Sequence, residues 1–208
     1  IIISGGGVFY SDAMDALGNF AVKHNIPVTQ TVMGYSTMKR DHSHFVGPIG
    51  GLGGKAANNL AKETDLAICI GTKLADFTTG SWANFENPQF KLVSINIARH
   101  DANKHLAEAV IGDAKVSLIE LSNALGDWRS SDSWHKKSQD ELKSWNEYVD
   151  KESGPTNQEL PSYAHAVGAI YRNSDPTDIA VTAAGGLVGE VVQVWRPKEL
   201  NTHETEWG

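Results

Sequence analysis

Leu66-Ala67-Ile68-Cys69-Ile70-Gly71-Thr72-Lys73-Leu74-Ala75-Asp76-Phe77-Thr78-Thr79-Gly80-Ser81-Trp82 is the stretch that decides how this chain folds. A short apolar run, Leu66 to Ile70, ends at a glycine, and a polar loop rich in threonine and glycine follows at once. An uninterrupted apolar run of this length is the pattern of a strand buried on both faces of a parallel sheet. Such a strand delivers its loop to the carboxyl edge, where open α/β sheets hold their ligands. The stretch therefore marks a candidate working surface without naming a reaction.

Reading outward, strand-like and helix-like segments alternate. Ile1 to Ile3 reads as a strand followed by the tight turn Gly5-Gly6-Gly7. Ser11 or Asp12 then stands where it can cap a helix with Met14, Leu17, Phe20 and Ala21 on one face. Pro27 to Val32 reads as a second strand, Gly34 to Gly54 as a long glycine-rich loop, and Lys55 to Thr64 as a small-residue helix. Downstream of the opening stretch, Leu92 to Ile97 and Ala109 to Ile111 read as strands. A helix from Asp113 to Leu125 follows. Short links between alternating elements predict right-handed crossovers, so the expected fold class is α/β, a parallel Rossmann-like sheet flanked by helices over residues 1–127.

Residues 128–159 read as a connector. Ser130 to Glu152 is a polar helix whose Trp134 and Trp145 are expected to pack on a neighbouring domain, and Ser153 to Glu159 has linker composition. Residues 160–208 read as the start of a second, truncated α/β unit. It begins with a helix after Leu160-Pro161-Ser162 carrying Tyr163, Val167 and Ile170 on one face. A strand follows from Ile179 to Thr182, then Ala183-Ala184-Gly185-Gly186 and a helix toward Trp195. The chain opens within a strand, without an initiator Met, and stops at Trp207-Gly208 soon after this unit begins. An excerpt from a longer protein is the expectation.

With 208 residues the chain is long enough for one full domain and part of another. A net charge of −7 with scattered basic residues argues against non-specific nucleic-acid binding. The single cysteine, Cys69, lies inside the apolar run, so it reads as a buried core thiol. No disulfide framework is possible within the chain, which fits a reducing, cytoplasmic location. No apolar run approaches the roughly 18 residues that span a bilayer, so no membrane partner is expected.

The chemistry-bearing candidates are few. Gly5-Gly6-Gly7 lacks the spaced glycines and the later acid of a dinucleotide fingerprint and reads as a plain turn. His42 and His44 lack a third and fourth ligand by spacing, so no metal site is assigned. Asp76 has no base tied to it and reads as a loop cap. No nucleophile elbow, Walker loop or His-Glu-x-x-His is present, and no catalytic residue is named. Ala183-Ala184-Gly185-Gly186 is the exception. Small residues between a strand and a helix N-terminus let backbone N–H groups approach a phosphate, and the helix dipole adds to the attraction.

Gly71-Thr72-Lys73-Leu74-Ala75-Asp76-Phe77-Thr78-Thr79-Gly80 resembles the Gly-x-Arg-Phe-Asp-Asp-Arg-x-Thr-Gly loop in the central domain of acetolactate-synthase-like thiamine diphosphate enzymes. Gly50 to Asn59, Glu63-Thr64-Asp65-Leu66 and Val110-Ile111-Gly112-Asp113 resemble other segments of that domain, in the same order. Three further segments, Asp76 to Trp82, Asp101-Ala102-Asn103-Lys104-His105 and Thr182 to Leu187, resemble the branch that hydrolyses a trihydroxycyclohexane-1,2-dione in inositol breakdown. The resemblance implies a ring-opening C–C hydrolase that uses thiamine diphosphate and Mg2+, acts on a cyclic diketone, and works as a homodimer or homotetramer. It carries a diphosphate contact onto Ala184, Gly185, Gly186 and Leu187, and implies that the activating glutamate and the metal motif lie outside this chain. The excerpt alone is therefore expected to be inactive. Lys73, Ala75 and Phe77 stand where the synthases carry polar groups that help to hold FAD, so no flavin is implied. A 2-keto acid decarboxylase or carboligase of the same family, and a non-catalytic nucleotide-binding module, are the competing readings.

Overall fold

The apolar runs of this chain switch faces at every residue, and the sheet they build is covered on both sides. The computed structural model describes residues 1–206; Trp207 and Gly208, where the expected second unit ends, lie outside the described residues. Among the described residues, one parallel sheet comprises β1 (Ile2–Ser4), β2 (Val28–Gln30), β3 (Phe45–Pro48), β4 (Leu66–Ile70), β5 (Lys91–Asn96) and β6 (Glu108–Ile111). Their spatial order is β3-β2-β1-β4-β5-β6, and every neighbouring pair is parallel. The order reverses between β1 and β4, which makes that gap the topological switch point of a Rossmann-like sheet. The expected α/β fold is what forms.

Around the sheet lie α1 (Gly6–Tyr10), α2 (Met14–His24), α3 (Lys55–Glu63), α4 (Asp76–Thr79), α5 (Arg99–Ala102) and α6 (Ala114–Leu125). On one face Ile2, Val28, Ile68, Ile70 and Ile95 pack against Leu17, Phe20 and Ala21 of α2 and Leu118 of α6. On the other, Ile3, Val46, Ala67 and Cys69 meet Ala57, Leu60 and Ala61 of α3. The alternation Ala67/Ile68/Cys69/Ile70 is thus the two-residue period of a strand buried on both faces.

Next come α7 (Asp132–Glu152), α8 (Tyr163–Asn173), β7 (Ala180–Ala183), α9 (Leu187–Val194) and β8 (His203–Glu206), with β7 and β8 forming a two-stranded parallel sheet. Trp134 and Trp145 of α7 pack on the α3 side of the large sheet. Trp145 also packs on a further cluster made by Val149, Val167, Tyr171, Val191, Val194 and Trp195. One long helix therefore touches both bodies of structure.

Several expectations are corrected. The stretch read as loop from Gly34 to Gly54 contains β3, whose Gly47 and Pro48 hid it. As the edge strand it tolerates a proline that a central strand would not. The glycine turn is the first part of α1, and neither Ser11 nor Asp12 caps α2. Its N-cap is Ala13, while Ser11 Oγ donates back to the Gly7 carbonyl (2.8 Å) and Asp12 takes a left-handed φ of 51°. On α8 the buried residues are Val167, Gly168 and Tyr171, whereas Tyr163 and Ile170 face outward. β8 is an addition: His203 and Thr205 point in and Glu204 and Glu206 out, a period of two written in polar residues.

Candidate functional site

Two places at the carboxyl edges of the strands are candidate sites. The first is the switch point. Gly71, at the end of β4, has a φ of +59°, and a Cβ there would lie 2.5 Å from the Gly7 Cα. A Cβ on Gly5 would lie 2.4 Å from the Gly71 carbonyl oxygen, and one on Gly34 would lie 2.3 Å from the Ser4 carbonyl oxygen. The glycines at this edge thus serve backbone-to-backbone packing, with Gly5 and Gly7 donating N–H bonds to the Ile70 and Gly71 carbonyls (2.8 and 2.9 Å). Above them opens a cavity of about 610 Å³ lined by Gly6, Tyr10, Thr31, Thr72, Phe77 and Asn96 among others.

Two of the polar side chains lining this cavity, Asn96 and Asp101, are engaged within the chain. Asn96 donates from Nδ2 to the Thr72 carbonyl (3.0 Å) and accepts from the Ala98 N–H (3.0 Å). Asp101 pairs with Lys104 at 2.6 Å. Asn58 holds the loop on one flank: its amide accepts from the Gly50 N–H (2.9 Å) and donates to the Gly50 carbonyl (3.0 Å), while Asn84 donates to it (3.2 Å). Asp76 opens α4, whose N-cap is Ala75 with no side-chain cap, so its expected capping role is not found. Lys73 and Phe77 are exposed.

The second place is the turn from β7 into α9. It contains all four residues assigned to a diphosphate, Ala184, Gly185, Gly186 and Leu187, and all four are exposed. Gly185 has a φ of +148°, and a Cβ built on Gly185 or Gly186 meets nothing within 4 Å. Among the described residues, the N–H groups of Gly185, Gly186 and Leu187 make no backbone hydrogen bond. These are the open donors of a helix N-terminus, and the space over the glycines admits an anion. The turn thus fits one end of a phosphate-bearing cofactor.

The remaining polar candidates hold structure together. His44 Nε2 bonds Asn25 Oδ1 (3.1 Å), its Nδ1 bonds Ser43 (2.9 Å), and its ring stacks on His135 with centroids 4.3 Å apart. Burial, followed by the neighbouring His135, His42 and Arg129, lowers its pKa to about 4. No group of three or more His, Cys, Asp or Glu side chains suited to a metal occurs among the described residues. Cys69 is fully buried, and burial pushes its thiol up to about 12. Sequence reading did not single out Tyr35, a buried phenol in the loop after β2 that donates to the Trp195 carbonyl (2.9 Å). An isolated aromatic in a glycine-rich loop carries no periodic signal that would have drawn attention to it.

Comparison with known proteins bears on the whole chain. A family model described as thiamine pyrophosphate enzyme, central domain, matches residues 1–121. A 3D-(3,5/4)-trihydroxycyclohexane-1,2-dione hydrolase from Clostridium perfringens (strain 13 / Type A) is 33% identical over 231 aligned positions, covering all of this chain and 36% of the relative. Relatives of the same name from Geobacillus thermodenitrificans (strain NG80-2) and Clostridium botulinum (strain Alaska E43 / Type E3) are 32% and 34% identical, with the same coverage. The chain spans little more than a third of the length of these relatives.

Proposed function

This chain belongs to the thiamine pyrophosphate enzymes through their central domain, and from that premise we propose that the protein carrying it opens the ring of a trihydroxycyclohexane-1,2-dione by hydrolytic C–C cleavage to a deoxyglucuronic acid. The observation that carries this reading is the 33% identity, along the whole chain, to enzymes named for hydrolysing that dione. Thiamine diphosphate, when bound, supplies a thiazolium ring that accepts the electron pair released when a bond next to a carbonyl breaks.

This chain's own part is binding and support. The backbone N–H groups of Gly185, Gly186 and Leu187, at the N-terminus of α9, would hold the diphosphate, with Ala184 shaping the approach. A divalent cation such as Mg2+ would neutralise the diphosphate from oxygen ligands outside this chain. The large sheet is the scaffold, and α7 ties it to α8 and α9 through Trp145 and Val149. We assign no flavin to the switch-point cavity, because Lys73, Ala75 and Phe77 replace the polar groups expected to hold one. Catalytic groups from outside the chain make it inactive alone, and a cofactor shared between subunits calls for a homodimer or homotetramer.

The test is product analysis by NMR with the full-length protein, thiamine diphosphate and Mg2+, offered the cyclic dione and pyruvate in separate reactions. Consumption of the dione to an open-chain acid is expected. Turnover of pyruvate instead would move the protein to the decarboxylases and carboligases of the family.

A second reading is favoured by the switch-point cavity, which lies where open α/β sheets take ligands. On that reading the chain is a nucleotide-binding module. Titration of this 208-residue chain with FAD, NAD and ADP tests it. Saturable binding tighter than about 100 μM, roughly 5.5 kcal/mol, supports it, and flat titrations remove it.

A further inference from the structure

The exit of α9 is held by two phenols that belong to different parts of the chain. Tyr35, in the loop after β2, donates from its hydroxyl to the carbonyl of Trp195 (2.9 Å). Tyr171, in the last part of α8, donates to the carbonyl of the next residue, Arg196 (3.0 Å), and accepts from the Arg40 guanidinium. Both tyrosines are buried. Burial raises the pKa of Tyr35 well above its ordinary value, so its hydroxyl remains a donor across the physiological range.

Further bonds run between the same two segments. The Arg40 N–H donates to the Pro197 carbonyl (2.9 Å), the Asn201 N–H donates to the Ser36 carbonyl (3.2 Å), and Lys39 pairs with Glu199. The Tyr35 ring meets His203 of β8 edge-on, with centroids 5.0 Å apart. The loop carrying Tyr35 begins at Thr31, Val32 and Met33, which line the switch-point cavity. It therefore reaches from the edge of the large sheet to the far end of α9.

We propose that Tyr35 and Tyr171 are positioning residues that set the direction of α9 and so hold the Gly185-Gly186-Leu187 turn where it meets the cofactor diphosphate. The proposal rests on the reading of that turn as a diphosphate contact. A helix is stiff along its axis, and α9 is only about 12 Å long at 1.5 Å per residue, so a tilt at its exit displaces its N-terminus. Neither phenol lies in the turn, so each acts through the helix. When a binding-competent state is only partly populated, the apparent dissociation constant rises by the inverse of that fraction.

The test uses the full-length protein and reads thiamine diphosphate affinity by calorimetry, kcat at saturating cofactor, and Tm. Tyr35→Phe and Tyr171→Phe remove one hydroxyl each. Gly185→Ala puts a side chain where φ is +148° and tests the turn itself. Leu118→Ala, in the core on the other face of the sheet, lowers stability without touching α9.

The expected result for Tyr35→Phe is a Kd raised about five- to tenfold, the effect of one net hydrogen bond, with kcat at saturation unchanged. Tyr171→Phe should act in the same direction, Gly185→Ala should weaken binding at least as much, and Leu118→Ala should lower Tm alone. If the tyrosine variants lower Tm but leave Kd unmoved while Gly185→Ala weakens binding, the positioning role is overturned and the reading of the turn stands. If Leu118→Ala raises Kd as much as Tyr35→Phe does, the effect is general instability and the positioning role is likewise overturned. If Gly185→Ala leaves Kd unchanged, the reading of the turn falls and the proposal falls with it.

Discussion

Gly71 occupies a position with no room for a side chain and a φ of +59°, and its partner in the close approach is another glycine, Gly7. Gly71→Ala would pay for a left-handed backbone and for a Cβ 2.5 Å from the Gly7 Cα. The expected loss of stability is about 2–4 kcal/mol, read as a lower urea midpoint. A midpoint within error of the parent would contradict the packing role. Gly5-Gly6-Gly7 reads as a plain turn in the sequence and opens α1 in the structure, and its contact with Gly71 is not legible at all, because spacing says nothing of which two segments meet. Histidines make a second case at this scale. Burial is the main cause that lowers both His44 and His203 to about 4 from 6.5. The unfolded chain then binds more protons than the folded one between those values, so stability is full above pH 6.5 and is lost as pH falls toward 4. The urea midpoint should be lower at pH 5 than at pH 7, and a rise on acidification would refute the assignment.

Among the elements, those with a strong period and a punctuated end were the legible ones. β4 was read at its observed bounds, and α6 was placed by the Gly112-Asp113 punctuation before it. Asp113 accepts from the Val116 N–H (3.1 Å) as the N-cap. Asp113→Ala should cost about 1 kcal/mol, visible as a small drop in Tm, and no drop would mean that another group takes over the N-H. β3 was illegible because Gly47 and Pro48 are breakers by local rule, and only its place at the sheet edge permits them. β8 was illegible for a different reason, since its inward residues are His203 and Thr205. On α8, Tyr163 and Ile170 look like core by composition yet face outward, while Gly168 is buried because a Cβ there would lie 2.1 Å from the Ser153 carbonyl oxygen. Hydropathy finds a face only where the buried residues are themselves large and apolar.

For the molecule as a whole, α7 is the element on which the arrangement depends. Trp145 packs on the α3 side of the large sheet and on the cluster formed with α8 and α9, and a Cβ on Gly54 would lie 2.7 Å from its Nε1. Trp145→Ala should lower stability by about 2–4 kcal/mol, somewhat less than for a fully buried aromatic, and calorimetry should show a lower Tm. An unchanged Tm would mean that the two bodies hold together without it. The Ala183-Ala184-Gly185-Gly186 turn, the proposed diphosphate contact, stands out in the sequence because small residues between a strand and a helix are a local signal, whereas Tyr35 and Tyr171 at the exit of α9 come from distant parts of the chain. The central claim, thiamine-dependent opening of a cyclic dione, meets its most direct test in one measurement. It is the rate of dione consumption by the full-length protein as thiamine diphosphate is titrated in at fixed Mg2+. The account predicts a rate that starts near zero and saturates with cofactor. A rate independent of thiamine diphosphate, or no dione consumption at any concentration of it, would contradict the account.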